Sequence, residues 1–374
     1  MSEFITGDAF EDGIVPREAP SPRTGTPPVK LSREEFTRRF LSQFIDPAFD
    51  GLGDELQRVA AAAWDGYAAS RKSPRTHKAG AGFADPDYDL ADDWRAAKAA
   101  VDAAQARHDD PGLQPRVLVI SGAARNEHTC PGELSKSARL AQMGREAIEK
   151  AGIAVDFLDL SLLSAEYGRN IHPCKTCFST AAPLCHWPCS CYPNYALGQT
   201  QDWMNDIYPL WAAAHGVFIV TPVNWYQVSS PLKLMMDRLV CADGGNPDPS
   251  STQGKEPKLA KQMELDGWSY PQHLKGRLFA VISHGDVEGA EGVRRSVSDW
   301  LAFMGLEPAG NMAELDRYIG YWEPYATSHE ALDADLPLQG EVRNAAATLA
   351  EAVLAQRAGR RSEAGAELHR PRRK

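Results

Sequence analysis

The sequence is poor in cysteine, with seven among 374 residues. Too few are spread along it to staple small loops, so a disulfide scaffold is excluded as the source of stability. No long hydrophobic run is present either. The longest stretch without a formal charge, Tyr208 to Leu232, is about the length of a membrane span but is broken by Pro209, Gly216, Pro222, Asn224 and Gln227. It reads as a helix end, a strand and a loop, and no transmembrane helix is expected. The N-terminus, Met-Ser-Glu-Phe with acids following, lacks the basic and apolar regions of a secretory signal, so the expected location is the cytoplasm. There is no excess of positive charge. Forty Lys and Arg stand against fifty Asp and Glu, a net charge of −10, which disfavours a nucleic-acid-binding surface over the whole molecule. What is present is the balance of an ordinary globular protein, with 43% hydrophobic and 24% charged residues. A chain of this length buries a sizeable core without staples.

Residues 1–30 carry five prolines among Gly, Ser, Thr and charges, and are expected to be disordered. At Ser32 a capping box appears, with Glu35 three residues on and Phe36, Phe40, Leu41 and Phe44 along one helical face. A second helical pattern runs through Leu56, Val59, Ala60, Trp64 and Tyr67, and a third from Trp94 to about Ala106. Lys72 to Asp89 between them reads as loop. Residues 31–112 are thus a helical extension without a catalytic constellation.

The pattern changes at Pro115. Short apolar runs at Arg116–Ser121, Val155–Leu160, Gly216–Thr221 and Leu278–Ser283, with a weaker one at Glu307–Glu314, alternate with helical periodicities. Strands alternating with helices indicate βαβ units, hence a parallel sheet covered on both faces. The expectation is an α/β domain over 115–357, of flavodoxin-like doubly wound topology with five strands in the order 2-1-3-4-5. Residues 358–374, six bases against two acids, read as a basic solvated tail.

In such a sheet the ligand lies beyond the carboxyl ends of the strands. Three loops leave those ends. Ser121-Gly122-Ala-Ala-Arg125-Asn126, continuing to Ser135-Lys136-Ser137 at a helix start, combines hydroxyls, backbone N–H groups and an arginine, the makings of a phosphate cradle. It is neither the dinucleotide glycine fingerprint nor a P-loop. Thr221-Pro222-Val223-Asn224-Trp225-Tyr226 places an aromatic pair at the sheet edge, a wall for a flat heteroaromatic ring. Lys233 follows, with Asp237-Arg238, expected to be a structural ion pair. Ser283-His284-Gly285 offers close backbone approach and a ring nitrogen. No residue must serve as an acid–base catalyst, and none is named.

Five of the cysteines, Cys174, Cys177, Cys185, Cys189 and Cys191, fall within eighteen positions after the second strand. Four thiolates are what a [4Fe–4S] cluster requires; Cys and His at such spacings suit structural zinc equally; thiols without metal, including a reducible dithiol at Cys174 and Cys177, are the third alternative.

Val117 to Asp237 resembles the flavodoxin-like NAD(P)H-dependent FMN reductases, and within them the iron–sulfur flavoprotein branch. The resemblance rests on Gly122-Ala-Ala-Arg125 with Ser137, on Thr221-Pro-Val-Asn-Trp225, where members read Ser-Pro-Val-Tyr-Trp, and on Lys233 and Asp237-Arg238. It implies non-covalent FMN, its phosphate on the first loop and its ring between the second and third. Electrons would come from NADH or NADPH and pass to an acceptor the sequence does not name. It also implies a homodimer or homotetramer. Cys174, Cys177 and Cys185 match three of that branch's four cluster cysteines; Thr180 stands at the other position, and Cys189 and Cys191 are additional. Two further functional classes are compatible with the sequence: an electron-transfer flavoprotein without its own substrate, and a zinc-stabilised interaction module on the same scaffold.

Overall fold

The computed structural model describes residues 28–372, apart from 71, 72, 74, 131–133, 193, 325, 361 and 362. Most of the N-terminal segment expected to be disordered therefore lies outside the described residues. The chain divides into two units, one of residues up to 75 with 193–200, the other of 76–192 with 201–374.

The smaller unit is built on two helices, Arg33–Leu41 and Gly53–Ala68. Ser32 caps the first, its hydroxyl accepting from the Glu35 N–H at 3.2 Å, as the sequence predicts. The Glu35 carboxylate turns instead to Arg38 and Arg39. Phe36 stacks on Tyr67 with ring centroids 4.9 Å apart and meets Trp64 edge-on at 5.6 Å, so the two predicted apolar faces cover each other.

The larger unit carries a mostly parallel sheet. Its strands are β1 (Arg116–Ser121), β2 (Ala154–Asp159), β3 (Gly216–Pro222), β4 (Leu278–Gly285) and β5 (Glu314–Tyr318). The spatial order is β2-β1-β3-β4-β5, all pairs parallel, with Glu307–Pro308 adding a two-residue strand on the same edge of β4. This is the flavodoxin-like doubly wound order. The weak run at 307–314 is thus two short strands, because Pro308, Gly310 and Asn311 interrupt the ladder between them.

Side-chain alternation assigns the two faces. Val117, Val119, Phe218, Val220, Ala280 and Ile282 point to one side, under helices α2 (Lys136–Lys150) and α6 (Leu336–Arg357). Leu118, Ile120, Val217, Ile219, Phe279 and Val281 point to the other. There they meet α1 (Asp92–Asp109), α3 (Met204–Ala213), α4 (Ser230–Arg238) and α5 (Ala290–Phe303). Because both faces are covered, β1, β3 and β4 read as continuous apolar runs rather than alternating ones.

Three sequence assignments change. Helix α1, grouped with the N-terminal extension by position, packs on the sheet through Val101, and its Trp94 indole donates to the Pro188 carbonyl at 3.0 Å. Part of the expected loop before it is a short antiparallel hairpin, Thr76–Lys78 with Asp89–Ala91. The basic tail folds back: the Gly365 N–H donates to Glu351 at 2.8 Å, and Arg372 pairs with Asp335 and Glu341. Arg372 thus finds acidic partners at the start of α6, so solvation is not its only recourse. Among the described residues no helix is long and apolar enough to cross a membrane.

Helix α2 approaches β3 at Gly144, where an added Cβ would lie 2.3 Å from the Phe218 ring. Gly144→Ala forces that buried ring or the helix to move, at a cost of about 1–3 kcal/mol. The expected result is a lower urea midpoint with an unchanged slope; an unchanged midpoint would show that the contact has slack.

Candidate functional site

The carboxyl ends of β1, β3 and β4 lie side by side, with Ser121 in register with Val220, and Thr221 and Pro222 with Ser283 and His284. Backbone and hydroxyl bonds lock the loops that leave them. The Gly122 N–H donates to the Val220 carbonyl at 2.8 Å, and an added Cβ on Gly122 would meet Leu232 and the Val220 oxygen at 3.1 Å each. Ser229 caps α4 and also donates its hydroxyl to the Gly122 carbonyl, joining the first loop to the second. Asn126, 3% exposed, donates to the Ser161 hydroxyl at 2.8 Å and accepts from the His128 and Thr129 N–H groups. That Asx-type turn shapes the loop on which Arg125 stands exposed.

Ser135 caps α2, accepting from Ala138 at 3.1 Å. Two residues on, the Ser137 hydroxyl shares a hydrogen bond of 2.8 Å with His284 Nε2. Burial, helped by the Lys136 charge, depresses the His284 pKa to about 3, so this imidazole is neutral throughout the physiological range. Its other nitrogen, Nδ1, is buried without a partner, as are the hydroxyls of Ser121 and Ser283. Uncompensated polar groups cost about 1–3 kcal/mol each. Here three stand at the carboxyl ends of β1 and β4, the strands that flank β3.

The second loop carries the backbone's most unusual feature. Asn224 and Gln227 exchange backbone hydrogen bonds at 2.8 and 3.0 Å, closing a two-residue turn. Its central residues, Trp225 and Tyr226, have φ of 50° and 64°. Positive φ at both central positions defines the type I′ geometry that favours Asn and Gly. Bulky aromatics there cost about 1–3 kcal/mol each. Both are exposed, at 93% and 63%, so no core packing compensates the strain. The Tyr226 ring leans on Gly289 in the third loop, which has no room for a Cβ; Gly285, similarly close, abuts Val223. The three predicted loops therefore form one continuous crevice edge.

A family model described as NADPH-dependent FMN reductase matches residues 115–313. The chain belongs to that family. It is accordingly a flavin oxidoreductase that uses FMN. No curated protein matches the chain in sequence. Among solved structures it is similar to RosB with the bound intermediate 8-demethyl-8-formylriboflavin-5'-phosphate, at 13% identity over 67% of this chain and 83% of that one, with a TM-score of 0.46. It is also similar to an azoreductase from Bacillus anthracis strain Sterne, at 15% identity over 64% of this chain and all of that one, with a TM-score of 0.33. An FMN-dependent NADH-azoreductase from Bacillus anthracis strain Ames Ancestor, in complex with FMN, is similar at 15% identity over 63% of this chain and 99% of that one, with a TM-score of 0.32.

The crevice fits the cofactor the family implies. It offers orphaned hydroxyls and an imidazole nitrogen at the strand ends, glycines at its closest approach, a helix N-terminus at Ser135 and exposed aromatics at its rim.

The five clustered cysteines lie elsewhere, around a small cavity of about 10 Å³ that Lys255 and His186 also line. Helix α4 spans the interval: Ser229 at its start holds the first flavin-side loop, and Arg238 at its end reaches the cysteine loop, roughly 12 Å away at 1.5 Å per residue. The Cys177 and Cys191 sulfurs stand 3.4 Å apart, and Cys189 is also hydrogen-bonded to Cys191. The hydrogen bond with Cys191, assisted by Lys255, brings the Cys177 pKa down to about 6; burial pushes the Cys185 and Cys174 thiols up. Both His186 nitrogens are engaged, one with Ser190 at 2.6 Å and the other with Thr252 at 3.0 Å. Among the described residues no three His, Cys, Asp or Glu side chains are arranged to hold a metal ion. Neither the cluster nor the zinc alternative thus finds a ready set of donors among the described residues.

Arg238 does not pair with its neighbour Asp237, as the sequence led us to expect. Asp237 takes Lys233 one turn back, while Arg238 makes a bidentate pair with Asp202, Nη2 to Oδ2 at 2.5 Å, both side chains fully buried. Arg238 also donates to the His172 carbonyl at 3.1 Å and lies 4.5 Å from the Tyr192 ring centroid. Asp202 and Lys255 carried no local sequence signal, since each acts on a residue tens of positions away. The dual role of Ser229 had half a signal, because Ser-Ser-Pro marks a helix start.

Asp202→Asn leaves Arg238 buried without its counter-charge and is expected to cost about 3–5 kcal/mol; a loss below 1 kcal/mol in urea denaturation would show that water relieves the charge. Trp225→Gly removes a strained, exposed side chain and is expected to raise stability by about 0.5–1 kcal/mol while weakening FMN binding. A stability gain with unchanged FMN affinity would take Trp225 out of the site.

Proposed function

We propose that the chain takes a hydride from NADH or NADPH and passes the electrons to a separate acceptor through FMN held in the crevice above β1, β3 and β4. The observation that carries this reading is the exposed Trp225–Tyr226 turn, strained at both residues, beside three orphaned polar groups at the adjacent strand ends. Such strain persists where a ligand uses it.

In this reading Arg125, Ser135 and Ser137 receive the phosphate, with the backbone N–H groups beyond Gly122 and the start of α2 supplying the rest of an anion cradle. Thr221 to Tyr226 and the His284–Gly285 edge flank the ring. Bound there, FMN supplies two-electron chemistry, accepting from a nicotinamide and delivering to the acceptor. The chain's own part is to bind, orient and exclude water. His284, kept neutral by burial, holds Ser137 in place and adds no charge to the crevice.

Arg125→Ala is expected to weaken FMN binding by about 1.5–3 kcal/mol, the range for a hydrogen bond to a charged group, and to leave riboflavin binding unchanged. Equal affinities of wild type and variant for FMN would remove Arg125 from the cradle. Anaerobic addition of NADPH or NADH to the FMN-loaded full chain should bleach the flavin's visible absorbance. FMN that stays oxidised with both donors would sink the nicotinamide reading.

A further inference from the structure

We propose that Cys177 and Cys191 are a reactive dithiol that a hydroperoxide converts into an intramolecular disulfide. Their sulfurs stand 3.4 Å apart, so closing to the bond length of about 2.05 Å needs a shift of about 1.4 Å, within reach of side-chain rotation. Their environments differ in the sense the chemistry requires. Both thiols line the cavity, but Cys177 is half-buried whereas Cys191 is buried at 6% exposure. The first can meet a small oxidant; the second is shielded from it and placed to resolve the product.

The local backbone singles out Cys177 within the loop, and a neighbouring cation serves both thiols of the pair. Cys177 begins a short turn, Cys177–Ser179, immediately after Thr176, whose φ of 51° is left-handed. A β-branched residue in that conformation is strained, and such strain marks positions where the surroundings impose a geometry. Lys255 lines the same cavity and anchors its ammonium on the Leu184 carbonyl. A cation held beside a thiol favours the thiolate, the nucleophilic form. The sequence pointed to Cys174 and Cys177 as the reducible pair; the fold turns Cys177 toward Cys191 instead, fourteen residues on.

The steps balance. The Cys177 thiolate attacks the peroxide O–O bond, giving the sulfenic acid Cys–SOH and, after protonation, an alcohol or water. The Cys191 thiol then displaces water from that sulfenic acid, forming the S–S bond. Two thiols lose two electrons and two protons, and the peroxide is reduced by two electrons. A dithiol reductant reverses the change by thiol–disulfide exchange.

The test uses the full chain, reduced, freed of reductant and treated with hydrogen peroxide. Free thiols should fall from the seven of the sequence to five, with the mass lowered by two hydrogens, a Cys177–Cys191 linked peptide after digestion, and full recovery with dithiothreitol. Cys177→Ser should abolish the response and Cys174→Ser should leave it intact. In Cys191→Ser the sulfenic acid should persist and be trapped by dimedone, which keeps the test open if Cys177→Ser does not fold. Seven free thiols after peroxide, a disulfide between other cysteines, or stoichiometric iron or zinc that masks the thiols in purified protein would overturn the proposal.

Discussion

A buried arginine needs a buried carboxylate. Arg238 and Asp202, both without exposure, fix the far end of α4, and much of the larger unit's functional geometry depends on where that helix lies. Its near end carries Ser229, whose hydroxyl ties the loop after β3 to the loop after β1. Its far end receives the cysteine loop, through the His172 carbonyl and the Tyr192 ring. Desolvating two such charges is expensive, and hydrophobic replacement is often as stable. Here the pair ties the end of α4 to Asp202 while the same guanidinium donates to the His172 carbonyl.

The crevice at the strand ends illustrates a second constraint. A turn of two residues with positive φ closes a hairpin most cheaply as Asn-Gly. This chain places Trp and Tyr there and leaves them exposed. Beside them, hydroxyls and an imidazole nitrogen are buried without partners, in a sheet whose β1, β3 and β4 are otherwise continuous apolar runs. Local rules are broken together in one place, and that place is the carboxyl edge of the sheet, where doubly wound folds bind ligands.

The sheet itself was legible because strand burial is written locally: Val117 to Ile120 and Val217 to Val220 are uninterrupted apolar runs of strand length, and the glycines and polar loops after them mark the carboxyl edge. Ser135, read as a helix cap, is one. The limits were equally physical. Helix α1 has the same periodicity whether it packs on the sheet or on its sequence neighbours, so periodicity could not say which. The Asp237–Arg238 adjacency suggested a pair that helical geometry disallows, since neighbours point to different faces of a helix. The cysteines were visible as a group, but their mutual arrangement is set by Lys255 and by contacts with the helix at Pro257–Leu265, which no spacing rule reaches.

The account's central claim is that FMN occupies the crevice of three loops and leaves the cysteine cavity alone. Hydrogen–deuterium exchange of the full chain with and without FMN tests this directly. Protection on binding is expected in residues 122–130, 135–139, 221–229 and 283–289, with residues 174–191 unchanged. Protection centred on the cysteine loop or on the helices at 33–68, with the three strand-end loops exchanging as before, would contradict it.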